Sequence, residues 1–249
     1  MKFLPDDIDA RLYREPFLGA GSLFFALNPK KAILSDANEY LIQCYLHVSK
    51  HPDIVSNYLE NFRNKSCKTY YYSIREEYNL CDNSPIQAAR FIYLNKTCFN
   101  GIFRVNVKGY FNVPYGNKEH PNLPSLDELQ RASALLGDAL LFPSDYEKAL
   151  KDVGKCDFVY LDPPYPPLNG TSYFTHYTKA RFCENDQVNL ANVFRCLDKT
   201  GCLLMMTNAD TPLIRALYSE YNIAELSVTR YVTCKAKKHR VSELVITNY

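Results

Sequence analysis

A buried strand that stops at two consecutive prolines restricts the fold of this sequence more than any other feature. Residues 156–161 (CDFVYL) are short, mostly apolar and β-prone, which predicts a strand inside a sheet. Pro163 and Pro164 must end that strand, because proline has no backbone N–H to give to a neighbouring strand. Asp162 precedes a proline and is therefore held in an extended conformation. The stretch predicts a rigid corner at the carboxyl end of a strand, where open α/β sheets bind their ligands.

This corner carries hydrogen-bond acceptors, and its prolines bring no competing donor. The Asp162 carboxylate and the Pro163 carbonyl can each take one hydrogen of a substrate –NH2 group. Tyr165 supplies a flat ring on which a planar base can stack. The sequence thus predicts a binding site for an amine on a planar ring. The alternative interpretation is an ordinary loop between a strand and a helix, since a motif of four residues carries a false-positive risk.

Composition excludes several classes of protein. The 249 residues suffice for one large or two modest domains, and 22% of them are charged, as is ordinary for a globular protein. No run is long and apolar enough to cross a bilayer, and Asp6, Asp7 and Asp9 argue against a secretory signal. The nine cysteines form no CxxC pair, which indicates reduced thiols in a cytoplasmic protein and argues against structural zinc. His47 and His51 have no evident third partner, so we expect no metal site.

Two glycines and an acid near the start predict a site for a nucleoside cofactor. In the segment 15–22 (EPFLGAGS), Gly19 and Gly21 open a tight loop whose backbone can approach a ligand. The third glycine of the dinucleotide fingerprint is missing, which disfavours a nicotinamide dehydrogenase. Asp36 follows a predicted strand at 31–34, where an acid can accept hydrogen bonds from ribose hydroxyls. Its alternative role is to cap the helix that follows.

The remaining pattern predicts strands and helices around a largely helical stretch. Apolar residues recur at helical spacing from 39 to 79, and another helix is expected at 85–96. Ser125 begins a capping box for a helix that ends at Gly137. Further helices are expected at 184–197 and 211–221, and further strands at 139–142, 202–206, 225–232 and 241–247. The polar stretch 166–177 is expected to form a mobile loop over the site.

Two stretches have the composition of a nucleic-acid surface. Residues 99–116 (FNGIFRVNVKGYFNVPYG) consist of two β-prone runs on either side of Lys108-Gly109, which predicts a hairpin. A β-ribbon can enter the major groove, where arginine bound to guanine is the commonest specific contact, and this one carries Arg104 and Asn106. A basic run precedes the last strand and contains Lys235, Lys237, Lys238 and Arg240. The alternatives are an ordinary packed hairpin and a solvated charged face.

Taken in order, these motifs resemble the Dam-type adenine-N6 DNA methyltransferases, the D12 class or α group, which act on GATC. The match comprises the glycine loop 15–22, Asp36, the hairpin 100–116 and the corner Asp162-Pro163-Pro164-Tyr165. It extends to residues 174–177 and to the basic run. The resemblance implies an α/β fold, a Rossmann-like class I S-adenosylmethionine-dependent methyltransferase sheet of seven strands with an antiparallel last strand.

The resemblance also implies a division into two domains. Residues 1–38 and 124–249 would form the catalytic and cofactor-binding domain. Residues 39–123 would form a mostly helical target-recognition domain that bears the hairpin. The implied partner is double-stranded DNA, bound by a monomer or a weak dimer, with S-adenosylmethionine as cofactor and with neither a metal nor a membrane involved.

The resemblance assigns roles to individual residues. The catalytic residues would be Asp162, Pro163, Pro164 and Tyr165. The cofactor would be bound by Glu15, Pro16, Phe17, Gly19, Gly21, Ser22, Asp36, Ser144, Asp145, Tyr146 and Asp162. DNA would be bound by Phe99 and Asn100 beside the displaced base, by Ile102, Arg104 and Pro114 at the base edges, and also by Asn106, Lys235, Lys237, Lys238 and Arg240. Arg104 is the expected guanine contact.

The implied reaction moves a methyl group from S-adenosylmethionine to N6 of a flipped adenine. Members of the family begin with an aromatic-containing segment that ends in Gly-Gly-Lys, whereas this sequence begins at Met1-Lys2-Phe3-Leu4. One alternative is therefore a catalytically impaired, N-terminally truncated homologue that only binds DNA. Another is a methyltransferase acting on RNA or on a protein glutamine, although the glutamine enzymes usually carry Asn at the position of Asp162 and lack the hairpin.

Overall fold

The computed structural model describes residues 2–80, 82–166, 182–231 and 238–249, and the side chains of 228–231 and 238–241 are outside that description. The strands are β1 (Leu12–Glu15), β2 (Ala32–Asp36), β3 (Ala139–Pro143), β4 (Asp157–Leu161), β5 (Leu203–Ala209), β6 (Asn222–Tyr231) and β7 (Lys238–Thr247). The helices are α1 (Ser22–Leu27), α2 (Glu39–Lys50), α3 (Pro52–Arg63), α4 (Lys68–Tyr78), α5 (Pro85–Thr97), α6 (Leu126–Leu136), α7 (Tyr146–Ala149), α8 (Glu184–Asp198) and α9 (Pro212–Leu217).

The strands form one seven-stranded sheet in the order β3-β2-β1-β4-β5-β7-β6. β1 is parallel to β2 and to β4, and β4 is parallel to β5. β7 runs antiparallel to both β5 and β6. The predicted Rossmann-like α/β fold with an antiparallel last strand is therefore confirmed. The strand order reverses direction between β1 and β4, and this is the point at which open α/β sheets bind ligands.

The two central strands are buried apolar runs, as the sequence predicted. Phe158, Val159 and Leu161 of β4 are fully buried, and so are Leu204 and Met206 of β5. Central parallel strands lack a solvent face, so their sequences are apolar at successive positions rather than alternating. Apolar residues of α8 pack against β4 and β5 in the same core cluster. That packing fixes where the chain leaves β4.

β1 was not predicted, because a charged residue lies in the middle of this strand. Arg14 is only 8% exposed, and its Nε lies 2.6 Å from the Asp157 carboxylate on β4. Arg14 also donates to the Asp152 carbonyl at 2.9 Å, and the Gly154 N–H donates to Asp157 at 3.1 Å. A buried ion pair of this kind requires additional hydrogen bonds, which are present here. Its two members are 143 residues apart in the chain, so no local pattern reveals it.

The chain forms two compact units. Among the described residues, the first unit holds 2–35, 144–166, 182–231 and 238–249, and the second holds 36–80 and 82–143. The second unit contains α2 to α6, β3 and the segment predicted as a hairpin. The predicted domain boundaries stay predictions.

Helices in the second unit follow local sequence signals. The predicted helical stretch 39–79 consists of α2, α3 and α4, because Pro52 starts α3 at its first turn, where proline is tolerated. The predicted capping box at Ser125 begins α6, with both reciprocal hydrogen bonds to Glu128 present. α9, in the first unit, is shorter than predicted and ends at Leu217 rather than near residue 221.

The predicted hairpin is antiparallel but does not form regular strands. Its pairing consists of isolated bridges, Val105 with Phe111 and Cys98 with Tyr115. The turn is held by the Asn106 side chain, whose Oδ1 accepts from the N–H groups of Lys108 and Tyr110 at 3.0 Å each. They add to two backbone bonds across the turn, from the Asn106 N–H to the Tyr110 carbonyl and from the Gly109 N–H to the Asn106 carbonyl, both at 2.8 Å.

Three further expectations concern metals, membranes and the basic run. In the described parts of the chain, no group of three or more His, Cys, Asp or Glu side chains is arranged to hold a metal ion. No described helix combines the length and apolar character needed to cross a bilayer. The described residues include neither Lys235 and Lys237 nor residues 167–177 of the predicted loop. Lys238 and Arg240 belong to β7, for which only the backbone is described at these positions.

Candidate active site

The proline corner directly follows β4 and is held by the end of β5. Leu161 pairs with Met206, so Thr207 is the next residue along β5. The Thr207 hydroxyl donates to Oδ1 of Asp162 at 2.7 Å and lies 3.0 Å from the Tyr160 hydroxyl. Because Thr207 has one hydroxyl hydrogen and gives it to Asp162, Tyr160 is the donor in the second bond. A chain of hydroxyl groups therefore orients the Asp162 carboxyl group.

A second chain of hydrogen bonds holds the Pro164 carbonyl of the corner. Gln187, on α8, donates through Nε2 to the Pro164 carbonyl at 2.9 Å. Asn208 donates through Nδ2 to Oε1 of Gln187 at 3.0 Å, and Oδ1 of Asn208 accepts from the Ala209 N–H at 2.8 Å. Gln187 and Asn208 are both buried, so these polar groups depend on one another. The corner is thus fixed from β5 and from α8.

Tyr165 closes the motif with a neutral phenol. Its hydroxyl donates to Oε2 of Glu243 at 3.4 Å. Burial raises the pKa of Tyr165 above the usual range, and the charge of Asp162 raises it further. The phenol therefore stays protonated at neutral pH and offers an uncharged ring.

Acidic groups end the strands on both sides of the point where the strand order reverses. β1 ends at Glu15, which is 2% exposed and accepts a hydrogen bond from the Tyr13 hydroxyl at 2.8 Å. Burial, followed by the charge of Glu15, raises the pKa of Tyr13. Burial, followed by the charge of Asp162, does the same for Tyr160. Neutral phenols and carboxyl groups therefore line this edge of the first unit.

The glycine loop between β1 and α1 is as tight as predicted. The Leu18 N–H donates to the Ser35 carbonyl at 3.0 Å, which ties the loop to β2. Gly21 has φ of +63°, and a Cβ there would lie 3.1 Å from the Phe25 ring. The left-handed backbone and the close packing both favour glycine at this position. Gly19 has φ of +48°, while Pro16 directly follows β1 and Ser22 begins α1.

Two of the predicted cofactor residues contact each other. The rings of Phe17 and Tyr146 stack with centroids 5.1 Å apart, and Phe182, which the sequence analysis missed, packs edge-on against Phe17 at 6.0 Å. Asp145 caps α7 by accepting from the Glu147 N–H at 2.9 Å. Ser144 donates to the Asp145 carbonyl at 3.0 Å. The structure therefore brings the glycine loop and the start of α7 together through aromatic rings.

Asp36, in the second unit, ends β2 as a buried acid. It is 4% exposed, and its Oδ1 accepts from the Asn38 N–H at 2.8 Å. The cap of α2 is Asn38, whose Oδ1 accepts from the Leu41 N–H at 3.4 Å. The alternative role of Asp36 as the helix cap is therefore wrong, and Asp36 instead orders the turn between β2 and α2.

The hairpin presents apolar side chains to solvent. Phe99 is 48% exposed and Ile102 is 39% exposed. Asn100 has φ of +58°, in the left-handed region, and lies between them. Arg104 donates through Nε to Oδ1 of Asn112 at 2.9 Å, which holds the guanidinium on the hairpin. The exposed Pro114 accepts the Phe99 N–H through its carbonyl at 2.9 Å.

The residues that support the corner were not predicted from the sequence. Thr207 and Asn208 directly follow the predicted strand 202–206, so their place at the carboxyl end of a strand was a usable signal. Gln187 gave no signal, because a polar residue in the first turns of a helix usually faces solvent. Glu243 lies on an antiparallel strand, and its position depends on pairing with Ala209.

Comparison with known proteins shows which family this sequence matches. Residues 1–232 match the model of the D12 class N6 adenine-specific DNA methyltransferases. The chain is 38% identical over 242 residues to the type II methyltransferase M1.LlaDCHI of Lactococcus lactis subsp. cremoris, which covers 94% of this chain and 85% of that protein. It is 40% identical over 255 residues to the type II methyltransferase M.MjaIII of Methanocaldococcus jannaschii, at 95% and 88% coverage. It is 32% identical over 253 residues to the DNA adenine methylase of Escherichia coli (strain K12), at 97% and 90% coverage.

Proposed function

The chain belongs to the D12 class of N6 adenine-specific DNA methyltransferases, and from this premise we propose that it methylates N6 of an adenine within GATC in duplex DNA. The methyl donor in this proposal is S-adenosylmethionine. The target adenine is flipped out of the helix, because N6 cannot reach a corner at the end of β4 while it is stacked and paired. Flipping costs a few kcal/mol of unstacking and unpairing.

The acceptor corner after β4 is the observation that carries this proposal. Thr207 orients the carboxyl group of Asp162, and Gln187 fixes the Pro164 carbonyl. Pro163 lies between them. Neither Pro163 nor Pro164 has a backbone N–H, so no donor from these prolines competes with a substrate amine for the Pro163 carbonyl. A base with an exocyclic –NH2 group has two hydrogens, which match one carboxylate and one carbonyl. Adenine, cytosine and guanine all carry such an amine, and membership of the family favours adenine.

The chemistry needs such acceptors, because adenine N6 is a weak nucleophile whose lone pair is delocalised into the ring. As N6 attacks the methyl carbon, the bond from that carbon to the sulfonium sulfur would break, S-adenosylhomocysteine would leave as a neutral thioether, and positive charge would grow on the nitrogen. Asp162 and the Pro163 carbonyl stabilise that charge, since they are already oriented when it develops. A proton then leaves N6, and Asp162 is the group placed to receive it. Tyr165 stays neutral and stacks on the base.

The residues at the reversal of strand order fit a nucleoside cofactor that carries a cation. In the proposal Gly19, Gly21 and Phe17 line the pocket, Asp36 accepts from ribose hydroxyls, and residues 144–146 border the adenine. Buried Glu15 and the Asp162 carboxyl group make the edge of the first unit negative, which suits a sulfonium ion. When bound, S-adenosylmethionine supplies the electrophilic methyl group. Glu15, Pro16 and Ser22 complete the proposed contacts.

The hairpin supports recognition of duplex DNA. Exposed Phe99 and Ile102 flank Asn100, whose left-handed backbone turns the chain sharply there. We assign Phe99 and Asn100 to the gap beside the flipped base, and Ile102, Arg104, Asn106 and Pro114 to the neighbouring base edges. Arginine bound to guanine is the commonest specific contact in the major groove. The basic residues Lys235, Lys237, Lys238 and Arg240 would contact phosphates.

The test is transfer of tritiated methyl groups from S-adenosylmethionine to a duplex with one GATC site. The wild-type chain should label this duplex, and the labelled nucleoside should be N6-methyl-deoxyadenosine. Asp162→Ala should lower the single-turnover rate about 1,000-fold while DNA binding is unchanged, because it removes a group that acts in the transition state. Asp6→Ala, which changes an exposed carboxylate in the same unit, is the matched control and should keep the wild-type rate.

Each part of the proposal has its own contrary result. Equal labelling of duplexes with and without GATC would contradict the recognition site. Binding without transfer by the wild-type chain would favour a homologue that only binds DNA. Full activity of Asp162→Ala would remove Asp162 from the mechanism.

A further inference from the structure

A relay of two buried side-chain amides connects β5 to the proline corner. It begins at the Ala209 N–H, passes through the amides of Asn208 and Gln187, and ends at the Pro164 carbonyl, with successive distances of 2.8, 3.0 and 2.9 Å. Asn208 is 0% exposed and Gln187 is 1% exposed. Water therefore does not compete for these groups, and each amide must find its partners in the protein.

The backbone groups at the two ends fix the orientation of both amides. The Ala209 N–H can only donate, so the atom of Asn208 facing it is Oδ1. Nδ2 of Asn208 then faces Gln187, whose facing atom must be Oε1. Nε2 of Gln187 is left to face the Pro164 carbonyl, which can only accept. The relay has one consistent arrangement, and flipping either amide would oppose two donors or two acceptors.

The corner depends on such outside donors because of its own sequence. Pro163 and Pro164 contribute no N–H to a strand pairing, so the backbone after Leu161 cannot continue the sheet ladder. Side chains tie this segment instead. Thr207 holds its carboxyl group, and Gln187 holds the carbonyl two residues later.

We propose that Gln187 is a positioning residue for methyl transfer, which holds the Pro163-Pro164 backbone so that the two amine acceptors keep their spacing. This inference rests on the proposed function of the corner. Gln187 bonds to Pro164 rather than to either acceptor, so it acts through the backbone and not by contact with the base. A displacement of about 1 Å in such a site can lower the rate about 100-fold.

The variant Gln187→Glu tests the relay, because a carboxyl group is an amide analogue only when it is protonated. Protonated Glu has one donor and one acceptor, and it can repeat both bonds of Gln187. Ionised Glu turns an acceptor toward the Pro164 carbonyl. Burial raises the pKa of a carboxyl group, which brings this change into the range of an activity assay. Two native carboxyl groups are the same in every variant: Asp162 on the corner, and Asp186, which directly precedes Gln187 on α8. A difference between variants therefore does not come from them.

The measurement is kcat for the GATC duplex, expressed as the ratio of variant to wild type at each pH. For Gln187→Glu the ratio should be about 0.01 to 0.1 at alkaline pH and should rise at least about fivefold as the pH falls. The KM for S-adenosylmethionine should change little, since the bonds described for the Gln187 side chain go to Pro164 and Asn208. The thermal midpoint of the variant should approach that of the wild type over the same pH interval.

Two controls separate the relay from general effects. Gln187→Met keeps the volume but has no proton to regain, so its ratio should be low at every pH. Asn189→Asp exchanges an exposed amide for a carboxylate two residues further along α8, and its ratio should stay near 1. Should Gln187→Glu fail to fold, Asn208→Asp probes the same relay one step further from the corner, with the same expected recovery at low pH.

The possible results distinguish a failure of the role proposed for Gln187 from a failure of the proposed function. If the wild type transfers methyl groups and Gln187→Glu matches it at all pH values, Gln187 does not position the corner and the proposed function stands. If Gln187→Glu and Gln187→Met are equally impaired with the same flat profile, the relay is overturned as well. If the wild type transfers no methyl group, the proposed function itself fails.

Discussion

At the scale of residues, the Thr207 hydroxyl links β5 to the acid that the proposed reaction uses. It donates to Asp162 at 2.7 Å and takes a hydrogen bond from Tyr160 at 3.0 Å. Burial and the charge of Asp162 raise the pKa of Tyr160, so its phenol keeps the proton that this chain needs. The carboxyl group is thereby oriented before a substrate arrives, which is the condition for electrostatic stabilisation without reorganisation.

Replacing Thr207 by Val should lower the single-turnover rate about tenfold. Valine has nearly the same shape but no hydroxyl, so Asp162 loses a donor and Tyr160 loses its acceptor. Thr207→Ser keeps the hydroxyl and is the matched control, with a rate close to that of the wild type. The rate of methyl transfer with saturating DNA and cofactor measures both. Equal rates for Thr207→Val and the wild type would show that this bond does not orient the acid.

At the scale of elements, the base of the hairpin contacts the end of α5 through backbone atoms. The Gly116 N–H donates to the Thr97 carbonyl at 2.9 Å, and a Cβ on Gly116 would lie 2.5 Å from the Cys98 carbonyl oxygen. Backbone atoms cannot rotate away as the end of a side chain can. The base of the hairpin therefore tolerates no side chain at this position.

Gly116→Ala should destabilise the chain by about 1–3 kcal/mol, because the added methyl forces the two backbone segments apart. The matched control is Gly137→Ala in the same unit. Gly137 has helical φ and ψ of −58° and −36°, and an added Cβ there would meet its neighbours at an ordinary 3.5 Å. The control should be neutral or stabilising by about 0.4–1 kcal/mol. Urea unfolding measures the stability of both variants. Equal stability of the two would contradict the close packing of Gly116 against the Cys98 carbonyl.

The elements also show which parts of the fold a sequence can predict. β4 and β5 are continuous apolar runs, and α6 has a capping box, so local patterns sufficed for them. β1 was missed because Arg14 is charged, and its burial depends on Asp157 in a distant part of the chain. The turn at Asn106 was predicted in the right place, but the local bonds of its side chain to the N–H groups of Lys108 and Tyr110 were not, and neither were the isolated bridges found in place of regular strands.

At the scale of the whole molecule, buried and half-buried tyrosines couple the free energy of unfolding to alkaline pH. Burial raises the pKa of Tyr93, Tyr221 and Tyr249 to about 12. In the unfolded chain a phenol loses its proton near pH 10, at its ordinary pKa of about 10. Between these values the unfolded state binds fewer protons than the folded state, so stability falls as the pH rises. The contribution is fully present below about pH 10 and is lost as the pH rises toward 12.

The chain should therefore unfold in alkali with a delayed ionisation of phenols. Tyrosinate absorbance should rise in two steps, first for exposed tyrosines near pH 10 and then together with the loss of far-ultraviolet circular dichroism. A single ionisation of all 20 tyrosines near pH 10, with the circular dichroism intact, would contradict the burial of these rings.

The site as a whole was only partly predictable. Pro163 and Pro164 mark the corner by their covalent chemistry, which any sequence displays. The glycine loop was equally visible, because positive φ at Gly19 and Gly21 favours glycine. The support for the corner was not visible. Gln187 reaches Pro164 only because α8 packs on β4 and β5, and no spacing in the chain encodes that contact.

A crystal structure of the chain with a GATC duplex and a non-reactive analogue of S-adenosylmethionine tests the central claim most directly. The distances that matter join adenine N6 to the Asp162 carboxylate and to the Pro163 carbonyl oxygen. Both should be about 2.8–3.2 Å, as for ordinary hydrogen bonds, with the adenine ring on Tyr165. An adenine still stacked in the helix, or an N6 bonded to neither oxygen while the analogue is bound, would contradict the account.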